Sequence, residues 1–257
     1  KGANTFAVPG IYKILDFIYE RYASLPLENL LEYPIRIAKN GFKLTQPTKD
    51  YFVHSLEPMF MWHEESQKTL SNVCDDLDNG LVKLEKLADT LSHMSGEGFN
   101  DFYIGDISKS IVETLKSEGG HATANDFRDY ELIGDNKFRY KFKTLQLTGH
   151  AGPSIGGLMV LKYLNALSSE TNNIEENLKN VYLDRQCNYE VFGDREELIS
   201  NEITKISKSS STIQVNTSDK NNFHFSITFS SGYGSGVLCK NTGMYFNNSL
   251  GEIELNP

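Results

Sequence analysis

At Thr212 the spacing of apolar residues changes, and that change limits the folds open to the chain. Upstream they recur every three or four residues. From Ile213 onward they alternate with polar residues, first Ile213 and Val215, then Phe223, Phe225, Ile227 and Phe229 beyond the turn cluster "SDKNN". A helix shows one face with a period near 3.6 and a strand with a period of 2, so no single element satisfies both patterns. The sequence therefore predicts an α+β protein, with a mainly helical segment over 1–211 and a β-hairpin and loop over 212–257. The junction, Ser209-Ser210-Ser211-Thr212, has the composition of a Ser/Lys-rich connector.

In the first part, Ile11, Ile14, Leu15, Ile18, Tyr19 and Tyr22 form a broad apolar stripe, which predicts a helix over "GIYKILDFIYERY". Pro26 and Pro34 sit where first helical turns accept proline, and Gly41 can close the segment "YPIRIAKNG". Leu81, Leu84, Leu87, Ala88 and Leu91 predict another helix, and so do Ile107, Ile111 and Leu115, closed by Gly119-Gly120. Thr123 and Asp126 have the spacing of a capping box. Leu158, Leu161 and Leu164 mark a further helix, with two more over "ENLKNVYLDR" and "REELISNEITKIS". Beyond the hairpin, "SGYGSG" reads as a loop in which backbone approaches something closely. It lacks the spacing and lysine of a phosphate-binding loop. "NTG" is a turn and "MYFNNS" a short strand.

Charge and composition remove several classes. A net charge of −9 offers no basic face for phosphates, which excludes a nucleic-acid partner. The longest apolar stretch, "LMVLKYLNAL", is broken by Lys162 and falls short of the roughly 20 residues a spanning helix needs, so no membrane association is expected. A soluble chain, cytoplasmic or exported, is the expectation. Cys74, Cys187 and Cys239 are odd in number and far apart, which predicts three buried thiols and no disulfide framework. The six histidines show no pair at i, i+4 with acids placed for a metal.

Several blocks carry more information together than singly. They are "VPGIYKILDFIYERYASLPLENLLEYPIRIAKNGF", "FNDFYIGDISKSIVETLKSEGGHATANDFRDYE", "GPSIGGLMVLKYLNAL", "VYLDR" and "NNSLGEIELNP". In this order they resemble the γ-glutamyltranspeptidase family of N-terminal-nucleophile hydrolases. The resemblance covers nearly the whole chain and implies a four-layer αββα sandwich in which the antiparallel strands after Thr212 belong to the central sheets. In that family a proenzyme cuts itself immediately before a threonine that opens a strand leading to D-K-x-G-N. Counting back from Asp219-Lys220 puts this threonine at Thr212, while the Ser-Thr pair alone would put it at Ser211. Thr228 then also falls on a family threonine without a gap, which favours Thr212.

The resemblance thus implies autocleavage between Ser211 and Thr212, with Thr212 as nucleophile and Ser230 as the hydroxyl that orients it. "NNSLGEIELNP" resembles N-N-x-M-D-D-F, whose acidic residues hold the substrate's α-amino group. This implies Asn248, Ser249 and Glu252 as contacts, with Glu252 keeping the charge where Gly251 replaces an aspartate. Ile213 and Gln214 stand where the family has threonine and histidine, and the asparagine expected after Ser230 has no clear counterpart. The implied reaction is cleavage of γ-glutamyl amides such as glutathione. A threonine hydroxyl attacks, the freed α-amino group with a pKa of about 8 acts as base, and water or an amine resolves the acyl-enzyme. No metal and no organic cofactor is implied.

The family's carboxylate-binding arginine lies upstream of V-P-G, and its serine pair and glycine oxyanion hole lie downstream of N-N-x-M-D-D-F. Loss of oxyanion donors costs an acyl-transfer enzyme on the order of 100- to 1000-fold. Further polypeptide of the same protein, or a homo-oligomer, is therefore expected to complete the site. The departures at Ile213, Gln214, Ser249 and Gly251 imply the alternative, a non-catalytic homologue serving as a binding or structural subunit.

Overall fold

A computed structural model describes residues 1–132, 137–150, 156–167, 173–188, 212–221 and 223–251. They fall into two compact units. One holds the described residues of Lys1–Leu132 and Ser209–Asn256, the other those of Ile133–Lys208. The first unit therefore joins the amino-terminal helices to the chain beyond Thr212.

Its helices are α1 (Ile11–Tyr22), α2 (Leu27–Asn40), α3 (Gln46–Met59), α4 (Glu64–Asp75), α5 (Glu85–Glu97), α6 (Asp101–Ile104), α7 (Asp106–Ser117) and α8 (Ala124–Arg128). The stripe over α1 and the pattern over α7 form helices where the period predicts them. Thr123 and Asp126 close the capping box of α8, with the Thr123 N–H donating to Asp126 at 2.7 Å. Pro26 caps α2 at its start and Gly41 ends it at φ 86°. Pro34, expected in a first turn, lies inside α2 instead. Its missing N–H leaves the Leu30 carbonyl on an exposed face where water can reach it, while Leu27 and Ala38 stay buried. The helix expected from Leu81 begins only at Glu85, because Phe42 and Val82 pair across a β-bridge and the Leu84 N–H donates to the Ala38 carbonyl at 2.8 Å.

Past the second hairpin, β3 (Thr212–Ser218) and β4 (His224–Ser230), the chain turns into the helical core. Residues 235–246 fold back on themselves: Ser235 N–H to Phe246 O at 2.9 Å, Phe246 N–H to Val237 O at 2.9 Å, Cys239 N–H to Met244 O at 3.0 Å. The stretch expected as a short strand, "MYFNNS", is not a strand; within this fold-back it holds one isolated bridge, Leu238↔Tyr245. This excursion carries Val237, Cys239, Met244 and Phe246 into one core with Phe6, Met94, Phe102, Tyr103, Ile107, Ile111, Leu115 and Phe127. Phe6 stacks on Phe127 at 5.9 Å and meets Phe246 at 4.8 Å. Each such side chain adds about 1.5–3 kcal/mol by burial, so the core itself joins the two ends of the sequence.

The glycine-rich loop makes this excursion possible. Gly236 has φ +83°, and a Cβ there would lie 2.1 Å from the Met59 carbonyl oxygen and 2.2 Å from Trp62 Nε1. Gly236→Ala is expected to cost about 2–3 kcal/mol in urea unfolding, from overpacking and backbone strain together. Gly119→Ala, at φ +77° with open space around it, is expected to lose only the backbone part, about 1 kcal/mol. Equal losses would refute the steric reading of Gly236.

The second unit holds a hairpin that the helical reading of this region does not foresee, β1 (Lys137–Phe142) paired antiparallel with β2 (Leu145–His150). Two helices follow, α9 (Gly156–Leu167) and α10 (Ile174–Asn188), joined by the Lys162–Asp184 ion pair. The helix expected over "REELISNEITKIS" lies outside the described residues. The three thiols are not all buried: Cys239 is, but Cys74 and Cys187 lie in the last turns of α4 and α10 and are exposed. Among the described residues no helix is long and apolar enough to cross a membrane, and no cluster of three metal-ligating side chains occurs.

Candidate active site

The hairpin β3–β4 is antiparallel, with Thr212 opposite Ser230, Ile213 opposite Phe229, Gln214 opposite Thr228, Val215 opposite Ile227 and Asn216 opposite Ser226. Alternation along a strand therefore sorts the residues into two faces. One carries Ile213, Val215, Phe225, Ile227 and Phe229. The other carries the register positions of Thr212, Gln214, Asn216, Ser226, Thr228 and Ser230. On the polar face Gln214 donates to Asn216 Oδ1 at 2.9 Å and to Ser226 Oγ at 2.6 Å, Ser226 donates to Asn216 at 2.8 Å, and Thr228 donates to Gln214 Oε1. The apolar face, expected to be fit for burial, is open: Ile213 is 53% exposed and Phe223, at its end, 58%.

Ser230 begins the loop that leads into the core, and its Oγ accepts the Gly232 N–H at 3.0 Å. Two asparagines fasten that loop. The Asn248 N–H donates to the Ser231 carbonyl at 3.2 Å, and Asn248 Oδ1 accepts the Tyr233 N–H at 2.8 Å. Asn247 reaches the other way: its Oδ1 accepts the Ala7 N–H at 3.1 Å and the Ser249 N–H at 3.1 Å, and its Nδ2 donates to the Ala7 carbonyl at 2.8 Å. Ala7 precedes Val8-Pro9-Gly10, which Tyr103 pins by donating to the Pro9 carbonyl at 2.5 Å. At Gly10 a Cβ would lie 2.4 Å from the Tyr130 hydroxyl, so a larger residue there would have to push that ring aside.

Between these parts lies a cavity of about 490 Å³, walled by Val8, Pro9, Tyr12, Ile213 and Phe229 and floored by Ser230, Ser231, Asn247 and Ser249. Among its described lining residues the ionisable side chains are Tyr12 and Tyr245. Burial pushes both phenols up to about 12. Neither can act as a base near neutral pH, so a hydroxyl nucleophile here needs a base from elsewhere.

Of the residues that the sequence singled out, Thr212 and Ser230 are cross-strand partners, Asn248 is bonded to the loop one residue beyond Ser230, and Ser249 lines the same cavity. Ser211 and Glu252 lie outside the described residues. Asn248, which the resemblance implies as a substrate contact, accepts the Tyr233 N–H at its Oδ1. Sequence reasoning passed over Asn247, whose signal was the asparagine pair itself, two amides side by side in a segment that the core draws inward.

The described residues form an α+β fold that solved structures of other proteins share. The γ-glutamyltranspeptidase of Helicobacter pylori shares it with a TM-score of 0.62 at 20% identity, over 72% of this chain and 57% of that one. A cephalosporin acylase from Bacillus halodurans shares it with a TM-score of 0.73 at 20% identity, over 96% of this chain and 52% of that one. Residues 1–201 match the gamma-glutamyltranspeptidase family model, and the chain belongs to that family. The matched range ends before Thr212. A relative named glutathione hydrolase proenzyme, from Arthroderma benhamiae, is 25% identical over 174 residues, 64% of this chain and 29% of that protein. The chain thus spans less than a third of that relative's length.

Proposed function

We propose that the protein cleaves γ-glutamyl amides, glutathione among them, through an acyl-enzyme on Thr212 that forms after the chain is cut between Ser211 and Thr212. The observation that carries this reading is the register that sets Thr212, the first residue of its strand, opposite Ser230. In the cut, the Thr212 hydroxyl oxygen adds to the Ser211 carbonyl carbon, the bond from that carbon to the Thr212 nitrogen breaks, and the nitrogen takes the proton. Water then splits the ester, leaving a carboxylate on Ser211 and a free amine on Thr212. With a pKa of about 8 that amine can take a proton from the hydroxyl, a function that the ionisable side chains among the described lining residues, Tyr12 and Tyr245, cannot fill. During turnover the same oxygen attacks the donor's γ-carbonyl, the amine leaves, and water or an acceptor amine releases the γ-glutamyl group. Glu252, with Ser249 and Asn248, is assigned to the donor's α-amino group, and further polypeptide of the same protein or a second copy supplies the oxyanion donors. Family membership and the name of the Arthroderma relative support both substrate and processing.

One observation favours a second reading, a non-catalytic binding or structural subunit. Gln214, standing where the resemblance has a histidine, has its amide engaged with Asn216, Ser226 and Thr228. Full-length protein incubated with γ-glutamyl-4-nitroanilide is expected to release 4-nitroaniline, faster when an acceptor dipeptide is added. Absence of release from a preparation fully cut at 211/212 would refute the catalytic reading and leave the subunit.

A further inference from the structure

Three elements bring apolar side chains to the cavity beside Ser230. The hairpin gives Ile213, Ile227 and Phe229 from its apolar face, α1 gives Ile11 and Ile14, one turn apart, and the segment pinned by Tyr103 gives Pro9. Ile14, Ile213 and Phe229 are 37%, 53% and 36% exposed, so part of this wall is apolar surface in contact with water. Among the described lining residues none is an Asp, Glu, Lys, Arg or His. The polar groups gather on the floor, and there the Asn247 amide is committed at both its oxygen and its nitrogen, to Ala7 and Ser249. Tyr12 turns its hydroxyl to Met244 Sδ at 3.8 Å and its ring onto Phe102 at 4.2 Å. A volume of about 490 Å³ lies in the range that small ligands occupy.

The two halves of a γ-glutamyl amide make opposite demands on such a cavity. The glutamyl half carries an ammonium and a carboxylate, which lose hydration in an apolar site unless charged partners meet them. The amine half has no obligatory charge. An apolar amine half gains by covering the exposed wall, whereas one that ends in a carboxylate, as in glutathione, finds no cation among the described lining residues. We propose that this cavity holds the amine half of the amide and selects apolar amines, aromatic or branched aliphatic, with Ile14 a specificity-determining residue. The effect on turnover rests on the function proposed above, whereas the binding preference rests on the cavity alone.

In the full-length protein, γ-glutamylbenzylamide is expected to be cleaved with a kcat/KM about 10- to 100-fold above that of γ-glutamylglycine, read from the amine released. Ile14→Lys puts an ammonium at an exposed position of the wall and should lower that ratio by about tenfold or more, while Ile14→Leu should keep it. Binding is read separately by titration calorimetry on Thr212→Ala protein, which lacks the attacking oxygen. It should bind γ-glutamylbenzylamide more tightly than γ-glutamylglycine, and the difference should shrink when Ile14→Lys is added. An active protein whose kcat/KM ratio is one or less, or whose ratio Ile14→Lys leaves unchanged, would overturn the assignment and keep the cleavage. A protein that cleaves neither amide but shows the binding difference would sink the cleavage and keep the assignment. Equal binding of the two amides by such an inactive protein would overturn both.

Discussion

Thr212→Ala is expected to leave a single uncut chain, while the wild-type protein separates with time into two polypeptides that meet at Ser211 and Thr212. The expected drop in cleavage rate exceeds about 1000-fold, because the variant lacks the only atom that attacks the Ser211 carbonyl, and removing a nucleophile removes the step. Thr212→Ser keeps the oxygen and should still cut, more slowly, since it loses the methyl group that limits rotation about χ1. The substitution is a mild one for the fold, as strand propensities span only about 1 kcal/mol. Intact-mass measurement over a long incubation reads both results. A wild-type chain that stays whole would remove the free amine and with it the base, since Tyr12 and Tyr245, the ionisable side chains among the described residues of the cavity lining, are held near 12.

The hairpin was legible because one face of β3–β4 repeats every second residue and the turn between the strands is polar. The same rule reads the pairing of Thr212 with Ser230, since register follows from alternation once the turn is placed. Elsewhere local patterns gave way to tertiary contacts. The apolar run from Leu81 looks helical, but Phe42 claims Val82 as a bridge partner, and α5 starts four residues later than its first leucine. Pro34 reads as a helix start, yet α2 runs through it because its buried ends, Leu27 and Ala38, hold the helix down. The β1–β2 hairpin had its signal in the alternation of Phe138, Tyr140 and Phe142, with Tyr140 opposite Leu147 and Phe142 opposite Leu145. Each strand is only six residues long, and a helical pattern follows in α9, so the alternation is a weak signal. Least legible was the clamp between Asn247 and Ala7, 240 residues apart in sequence. No local pattern encodes a contact at that range, and only the core that draws Phe6 against Phe246 brings the two together.

Asn247→Ala is expected to destabilise the first unit by about 3–4 kcal/mol in urea unfolding and to loosen the wall of the cavity at the same time. The side chain is buried and makes three hydrogen bonds to backbone, two to Ala7 and one to Ser249. Each partner left without one costs about 1–3 kcal/mol where water cannot replace it, and less where it can. Amide exchange at Ala7 should accelerate with the loss, whereas Phe127, at the centre of the core, should keep its protection until global unfolding. Asn247→Asp separates the donor from the acceptor. Its Oδ1 can still accept from Ala7 and Ser249, but an ionised carboxylate presents oxygen, not N–H, to the Ala7 carbonyl. The two N–H donors on Oδ1 favour the carboxylate, while burial and the facing carbonyl favour the protonated acid, which can donate; with burial dominant, the folded-state pKa of the introduced group is expected above its unfolded value near 3.9. The folded form then binds more protons than the unfolded chain between those two values, and stability relative to wild type falls as pH rises through the window. Asn247→Asp should therefore approach wild-type stability at pH 4 and fall furthest below it at pH 7, and a deficit independent of pH would show that the bond to the Ala7 carbonyl contributes nothing.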